Sequence, residues 1–429
     1  MPVLNYDRIM INYLFFLIVG FVTLDFAFGS YLAWRNRRAA KPQLPDELKG
    51  IYEANEYARQ QDYFRANNAF SNVTRSFEYV LMMVMLFIGG FGLIDDWAYQ
   101  LMPSPVLAVL FFFAAIYIGN DILTIPFAYY STFVIEEKFG FNKMTPKLFF
   151  SDILKGWLLS ALLGGALIVS VFLLYQRWNE MFWLYAWGLI CVVTVFFSMF
   201  YSEWIVPLFN KQTPLAPGVL REAIEQFARK NDFAVSDIYV IDGSKRTTKS
   251  NAYFTGLGRK KRVVLYDTLL KELTTEEIVA VLAHEIGHYK HRHVYISLLF
   301  SLLNSFVLLY VFSLLADSEV LAHAMGGEAP TIELGLIAFT LLYSPVGLVI
   351  GILFNIFLRR NEYQADRYAA EQGLAQPLVS GLKKISVKAL SNMTPDTWYV
   401  FVYYSHPTLL QRINRLQSFI TTKVQNQKF

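Results

Sequence analysis

Apolar residues along this chain come in long blocks separated by charged or turn-forming stretches. Seven blocks, near 10–34, 77–95, 104–135, 152–175, 181–206, 294–316 and 331–358, are long and apolar enough for membrane-crossing helices, which need about 20 residues each. The third is too long for a straight crossing and contains Asn120, Asp121 and Pro126, so it must tilt, break or run beyond the bilayer. The largest interruption, 207–293, has the mixed pattern of a small soluble domain. Helical periodicity runs over 218–230 (Leu220, Ile224, Phe227, Ala228), and Ile238-Tyr239-Val240-Ile241 reads as a strand ending at Asp242-Gly243. Residues 251–256 and 262–266 read as a hairpin about a turn at 258–261. Thr274 with Glu277 is a capping box ahead of Ile278, Val279, Val281 and Leu282, which starts a further helix. The expected division is therefore 1–206 (five spans with basic loops), 207–293 (the insert), 294–358 (two spans) and 359–429 (a C-terminal segment).

Composition agrees with the pattern. A hydrophobic share of 55%, with 17% aromatic and only 17% charged residues, excludes an ordinary soluble domain of this length. A net charge of +4 implies no nucleic-acid partner. The basic residues are instead distributed by loop. Loop 35–76 holds Arg35, Arg37, Arg38, Lys41, Lys49, Arg59, Arg65 and Arg75, and loop 136–151 holds Lys138, Lys143 and Lys147. The turns 96–103 and 317–330 have no Lys or Arg, and 176–180 has only Arg177. The positive-inside rule then places the N-terminus outside and the long loops, the insert and the C-terminus in the cytoplasm. The N-terminal apolar block lacks a basic leader and a small-residue cleavage site, so it reads as a retained span. Cys191, the single cysteine, lies in an apolar run and excludes a disulfide framework. Asp25, Asn120, Asp121, Asn304 and Asn355 fall inside spans, where such groups either face a cavity or bond a neighbouring helix.

The chemistry sits on the helix after the capping box, in His284-Glu285-Ile286-Gly287-His288. Histidines four apart share one helical face and can close on one zinc ion, while the intervening glutamate can take a proton from water at the metal. A catalytic zinc needs a third protein ligand. His291 shares the face of His284, but seven residues at about 1.5 Å rise separate them by roughly 10 Å, too far for both to ligate. His291 and His293 are therefore interface residues or donors behind the ligands, and His323 lies in an outside loop. After the last span, Glu362 and Asp366 are four apart, so one carboxylate can ligate while the other orients a ligand histidine or assists proton transfer. A solvated acidic face is the plainer alternative.

These features occur together with Lys249-Ser250-Asn251-Ala252-Tyr253-Phe254, the 262–270 segment, Phe139-Gly140-Phe141-Asn142-Lys143-Met144-Thr145-Pro146, and Tyr404-Ser405-His406-Pro407-Thr408-Leu409-Leu410-Gln411-Arg412. In that order they resemble the integral-membrane zinc endopeptidases typified by the zinc-type CAAX prenyl protease. The resemblance implies one zinc per chain, with Glu362 as third ligand beside His284 and His288, and Glu285 as general base. It implies Asp366 as a carboxylate behind the ligands, often assigned as proton donor, and His406 and Arg412 as groups steadying the oxyanion and the carboxylates. Asn251 and Ala252 would hold substrate. The implied fold is an α-helical membrane protein, with seven helices around a hollow chamber and a small α+β zinc-protease domain, and Asp25 and Asp121 lining the chamber.

The expected function is hydrolysis of peptide or protein substrates, prenylated ones among them, at a lipid bilayer. Two other readings are turnover of membrane proteins or peptides in general, and a scaffold or transporter with structural zinc. The last needs a fourth side-chain ligand, usually cysteine, which this chain does not offer. The short 317–330 turn and compact tail point to a bacterial member in the inner membrane. A eukaryotic one would sit in the endoplasmic reticulum.

Overall fold

The computed structural model describes residues 2–41, 43–233, 237–256 and 262–426. It is mostly helical. Helix α1 (Pro2–Ala39) leads to α2 (Ala54–Phe87), which bends by 64° into α3 (Gly90–Leu101) at Gly89, a residue with φ of 66°. The 326–327 turn packs so closely on this bend that a Cβ at Gly92 would lie 2.1 Å from the Gly326 carbonyl oxygen. Helix α2 starts well before the expected span, because its polar first half is partnered. Arg59 donates to the Phe139 carbonyl, and Tyr63 donates to Glu136. Helix α4 (Pro105–Tyr130) begins at a Ser104 cap and continues through a π-helical turn, Ser131–Glu136. Of the expected alternatives of tilting, breaking or running beyond the bilayer, a break does not occur: the chain runs on helically past Pro126, 32 residues in all over Pro105–Glu136.

Helices α5 (Pro146–Leu159) and α6 (Gly165–Trp178), joined by a π-helical turn, are followed at Asn179–Met181 by a turn into α7 (Phe182–Trp204) and the short α8 (Val206–Phe209). The apolar stretch Pro146–Phe209 is 64 residues, about 96 Å if straight, three times a bilayer core. It instead folds back on itself: Tyr175 meets Phe182 across the turn, and at the far end Lys155 donates to the Leu208 carbonyl at 3.0 Å. Among the described residues, five segments are long and apolar enough to cross a membrane, or six with the α2–α3 pair, each hairpin arm not being counted separately.

The insert carries a four-stranded sheet: β1 (Gln212–Pro214), β2 (Asp237–Ile241), β3 (Ala252–Thr255) and β4 (Arg262–Tyr266), in the order β1-β2-β4-β3. The expected strand and the expected antiparallel pair are present, with Ala252 opposite Leu265 and Thr255 opposite Arg262; β1 was not foreseen. The turn at 258–261 lies outside the described residues. Helix α9 (Val219–Lys230) lays Ile224 and Ala228 on the sheet. The short α10 (Asp267–Glu272) then leads to α11 (Thr275–Lys290), which packs Ile278, Leu282 and Ile286 into the same core.

After α12 (His293–Ser313) and α13 (Glu319–Ala324) comes α14 (Ile332–Glu371), 40 residues without a break. The expected boundary at 358/359 therefore falls inside one helix, which runs out of the apolar region into the insert and lies along α11. Helices α15 (Ala375–Lys388), α16 (Thr397–Tyr403) and α17 (Leu409–Asn426) complete the chain, with Leu378, Val379, Ile413 and Leu416 packed on Ala280 and Ala283 of α11.

Candidate active site

The site forms where α11, α14 and the 405–412 segment meet. Helix α11 starts on the expected box: the Thr274 hydroxyl accepts from the Glu277 amide at 3.3 Å, and Glu277 accepts from the Thr274 amide at 2.8 Å. Burial alone would raise the Glu277 carboxyl. Hydrogen bonds from Lys384 and Ser380 and from Thr274 outweigh it and hold this acid below its usual range. The helix ends where Arg292 adopts a left-handed φ of 58°, which turns His293 back beneath His288.

Along α11, small residues face α14. Gly287 lies so near that a Cβ there would come within 2.9 Å of the Ala365 Cα and 3.1 Å of its carbonyl. Ala283 and Ala365 are fully buried in the same contact. This approach brings Glu362 onto the histidine face of α11. His284 Nε2 and His288 Nε2 lie 3.2 Å apart; Glu362 Oε1 is 3.2 Å from His288 Nε2, and Oε2 is 3.5 Å from His284 Nε2. A tetrahedral zinc with bonds of about 2.1 Å separates its ligand atoms by about 3.4 Å, so the three fit such an ion. Glu362 Oε2 is buried without a hydrogen bond, with an Arg412 terminal nitrogen and His284 Nε2 each 3.5 Å away, which leaves it room for a cation on the histidine side.

Behind His284, Nδ1 lies 2.9 Å from Asp366 Oδ1. Asp366 accepts both arms of Arg412, from Nε at 2.9 Å and from a terminal nitrogen at 2.6 Å. Burial and the Arg412 charge lower the His284 pKa, but Asp366 and Glu362 outweigh them and raise it to about 9, so the pocket favours positive charge at this ring. Asp366 is 1% exposed and does not reach the neighbouring cavity, which is awkward for a proton donor to substrate. That cavity, about 420 Å³, is lined by Glu285, His288, Glu362, His406 and Phe254 among others. His406 is largely exposed, with Nε2 3.3 Å from Glu362 Oε1 and Nδ1 2.9 Å from the Ser405 hydroxyl.

The fold therefore gathers Glu285, His288, Glu362 and His406 at one cavity, with His284 joined to His288 and Glu362 in the cluster and Asp366 and Arg412 behind it. Asn251 and Ala252 do not line it. They lie at the start of β3, which is an edge strand. Asn251 accepts from the Tyr266 amide, so the alternation of the ladder turns the backbone groups of Ala252 and Phe254 to the open side. His291 contributes no ligand atom to the cluster. Of the polar residues within spans, Asn355 donates to the Val402 carbonyl at 2.8 Å, the inter-helix role expected of it. Asp25 lines a cavity of about 390 Å³ with Arg75 and Glu78. Asp121 instead accepts from the Trp157 indole.

Against known proteins, residues 33–211 match the family described as CAAX prenyl protease N-terminal, five membrane helices, and residues 214–420 match peptidase family M48. The chain is 35% identical over 409 residues to the CAAX prenyl protease 1 homolog of Oryza sativa, covering 93% of this chain and 96% of the relative.

This chain belongs to peptidase family M48.

Other M48 relatives agree. CAAX prenyl protease 1 of Saccharomyces cerevisiae is 33% identical, with 96% of each chain covered. The crystal structure of S. mikatae Ste24p superposes with a TM-score of 0.90 at 33% identity, covering 94% of this chain and 99% of that one. The chain is thus a multi-pass membrane metalloprotease with the fold of that M48 structure. The relatives named here are eukaryotic, where the short 317–330 turn led us to expect bacterial ones. In this M48 chain the sequence did not single out Gln364 or Phe254. Phe254 lay within a motif already quoted, and Gln364 stands two residues past Glu362 with no pattern to mark it.

Proposed function

We propose that this protein is a gluzincin-type zinc endopeptidase that binds one zinc through His284, His288 and Glu362 and cuts extended peptides beside β3. The clustering of those three side chains, with His288, Glu362, Glu285 and His406 lining one cavity, carries the reading. His284, His288 and Glu362 would hold the zinc, which when bound would supply Lewis-acid charge to the scissile carbonyl and to water. Glu285 takes a proton from the attacking water as the new C–O bond forms, and delivers it to the leaving amine as the tetrahedral intermediate collapses and the C–N bond breaks. The exposed His406 donates a hydrogen bond to the oxyanion that develops. Asp366, clamped by Arg412, holds His284 in place and acts as a positioning residue. The backbone groups of Phe254 and the Ala252 carbonyl, on the open side of β3, pair with substrate as an added strand, while the Ala252 amide donates to the Asn251 side chain at 2.9 Å.

The substrate class follows the relatives' name, CAAX prenyl protease, and is prenylated proteins; the family resemblance implies removal of their C-terminal tripeptides, and other membrane-associated peptides are the second class. Counting the α5–α6 and α7 arms separately and the α2–α3 pair as one gives seven crossings. The distribution of basic loops places the zinc domain in the cytoplasm and the N-terminus outside. The membrane is the endoplasmic reticulum in a eukaryotic cell and the inner membrane in a bacterial one. The test is Glu285→Gln, which keeps size and helix but removes the proton acceptor. Zinc should stay stoichiometric while turnover of a prenylated peptide falls about 10²–10⁴-fold. Near-normal turnover by the metal-loaded variant would refute the mechanism.

A further inference from the structure

We infer that Gln364 and His293 form a relay that sets the tautomer of His288 and so makes it a metal ligand. Among the described residues, His284 has a carboxylate, Asp366, behind it, whereas His288 Nδ1 meets a histidine instead. Its Nδ1 lies 3.0 Å from Nδ1 of His293, and His293 Nε2 lies 2.8 Å from Gln364 Oε1. His293 is 4% exposed, so water does not compete freely for these bonds. A neutral imidazole carries one proton, which fixes the direction of the whole chain. With the amide oxygen of Gln364 toward it, His293 donates from Nε2 and must accept at Nδ1. His288 then donates from Nδ1 and leaves Nε2, the atom facing Glu362 and His284, bare for a cation. Turning the Gln364 amide by 180° reverses every bond: Nε2 of His288 becomes protonated and cannot ligate.

Two backbone features hold the relay. The left-handed turn at Arg292 breaks α11 from α12 and swings His293 beneath His288. Gln364 is two residues beyond Glu362 on α14, so the helix that delivers a ligand also delivers the group that prepares its neighbour. His293 stands at the cavity wall and Gln364 behind it, and both act through His288 as positioning residues.

The inference rests on the zinc site proposed above, and the test separates the two. Zinc affinity is measured on purified full-length protein by competition with a chromophoric chelator. Gln364→Met keeps length but loses the acceptor and should bind zinc about 10–100-fold more weakly, the usual cost of losing a partner behind a ligand. Gln364→Glu fixes an acceptor in place and should bind within about threefold of the parent or tighter. A role in packing alone predicts the reverse order, Met tolerated and a buried Glu harmful. If Gln364→Met proves unstable, His293→Phe keeps the ring without its nitrogens and should show the same loss. Parent-like zinc affinity in Gln364→Met or His293→Phe overturns the relay. Absence of stoichiometric zinc in the parent would overturn the site itself.

Discussion

Gly287→Ala should weaken zinc binding even though it touches no ligand. The added methyl would lie 2.9 Å from the Ala365 Cα, and two carbons rest at about 3.5–4.0 Å, so α11 and α14 must part by about 0.6–1 Å. Both partners there are backbone of packed helices and cannot swing aside. The two histidines ride on α11 and Glu362 on α14, so the same gap opens between them. Metal ligands tolerate displacements of only about 0.2 Å, and we expect zinc affinity to fall at least about 10–100-fold. Intrinsic helix propensity alone would favour alanine by about 1 kcal/mol, so a purely local effect has the opposite sign. The assay is chelator competition on detergent-purified protein, with Gly351→Ala as control, because nothing lies within 4 Å of a Cβ at that position of α14. Gly287→Ala binding zinc within about threefold of the parent would show that the close approach does not set the ligand geometry.

Three further outcomes are expected. Metal analysis should find zinc lost from Glu362→Ala and unchanged in His291→Ala; loss from His291→Ala alone would reverse the ligand assignment. The Glu277 carboxyl is held below its unfolded value, so its contribution should be complete above about pH 4.5 and disappear as pH falls through the folded value. Glu277→Gln should therefore be less stable than the parent near neutrality, by about 2 kcal/mol for lost hydrogen bonds to a charged group, and equal to it in acid, as read by thermal unfolding across pH. With Cys191 replaced, a cysteine at Ser318 should react with an impermeant thiol reagent in intact cells, and one at Ser244 only after lysis. The opposite pattern would invert the proposed sidedness.

The legible parts of this molecule were those encoded locally. The capping box at Thr274 and Glu277 and the i, i+4 spacing of His284 and His288 each depend on a few consecutive residues. The amphipathic α9 was readable for the same reason. What could not be read depends on chain segments far apart in sequence meeting in space. Glu362 and Asp366 formed a plausible pair, but nothing local said which oxygen would face His288. The polar first half of α2 read as loop because its partners, the Phe139 carbonyl and Glu136, lie some 75 residues on. The over-long third block could tilt, break or run beyond the bilayer, and its sequence did not choose; a proline removes only one backbone bond, and α4 continues past Pro126. The edge position of β3 is set by strand order, which no single strand encodes.

The unbroken α14 makes the protein a lever. From Ile332 to Glu362 the helix spans about 45 Å at 1.5 Å per residue, so each degree of tilt sweeps its far end by nearly 1 Å. Bilayers of different thickness change helix tilt by several degrees. If only α14 moved, that swing would tear Glu362 from the histidines. The Gly287–Ala365 contact prevents this by carrying α11 along, so both halves of the metal cluster travel as one body. Because α11 also packs Ile278, Leu282 and Ile286 into the core of the sheet, the edge strand travels with the metal cluster, and bilayer thickness shifts both together against the surrounding spans, not the ligands relative to each other. Lipid composition should accordingly alter which peptides reach the cut before it alters how tightly the metal is held.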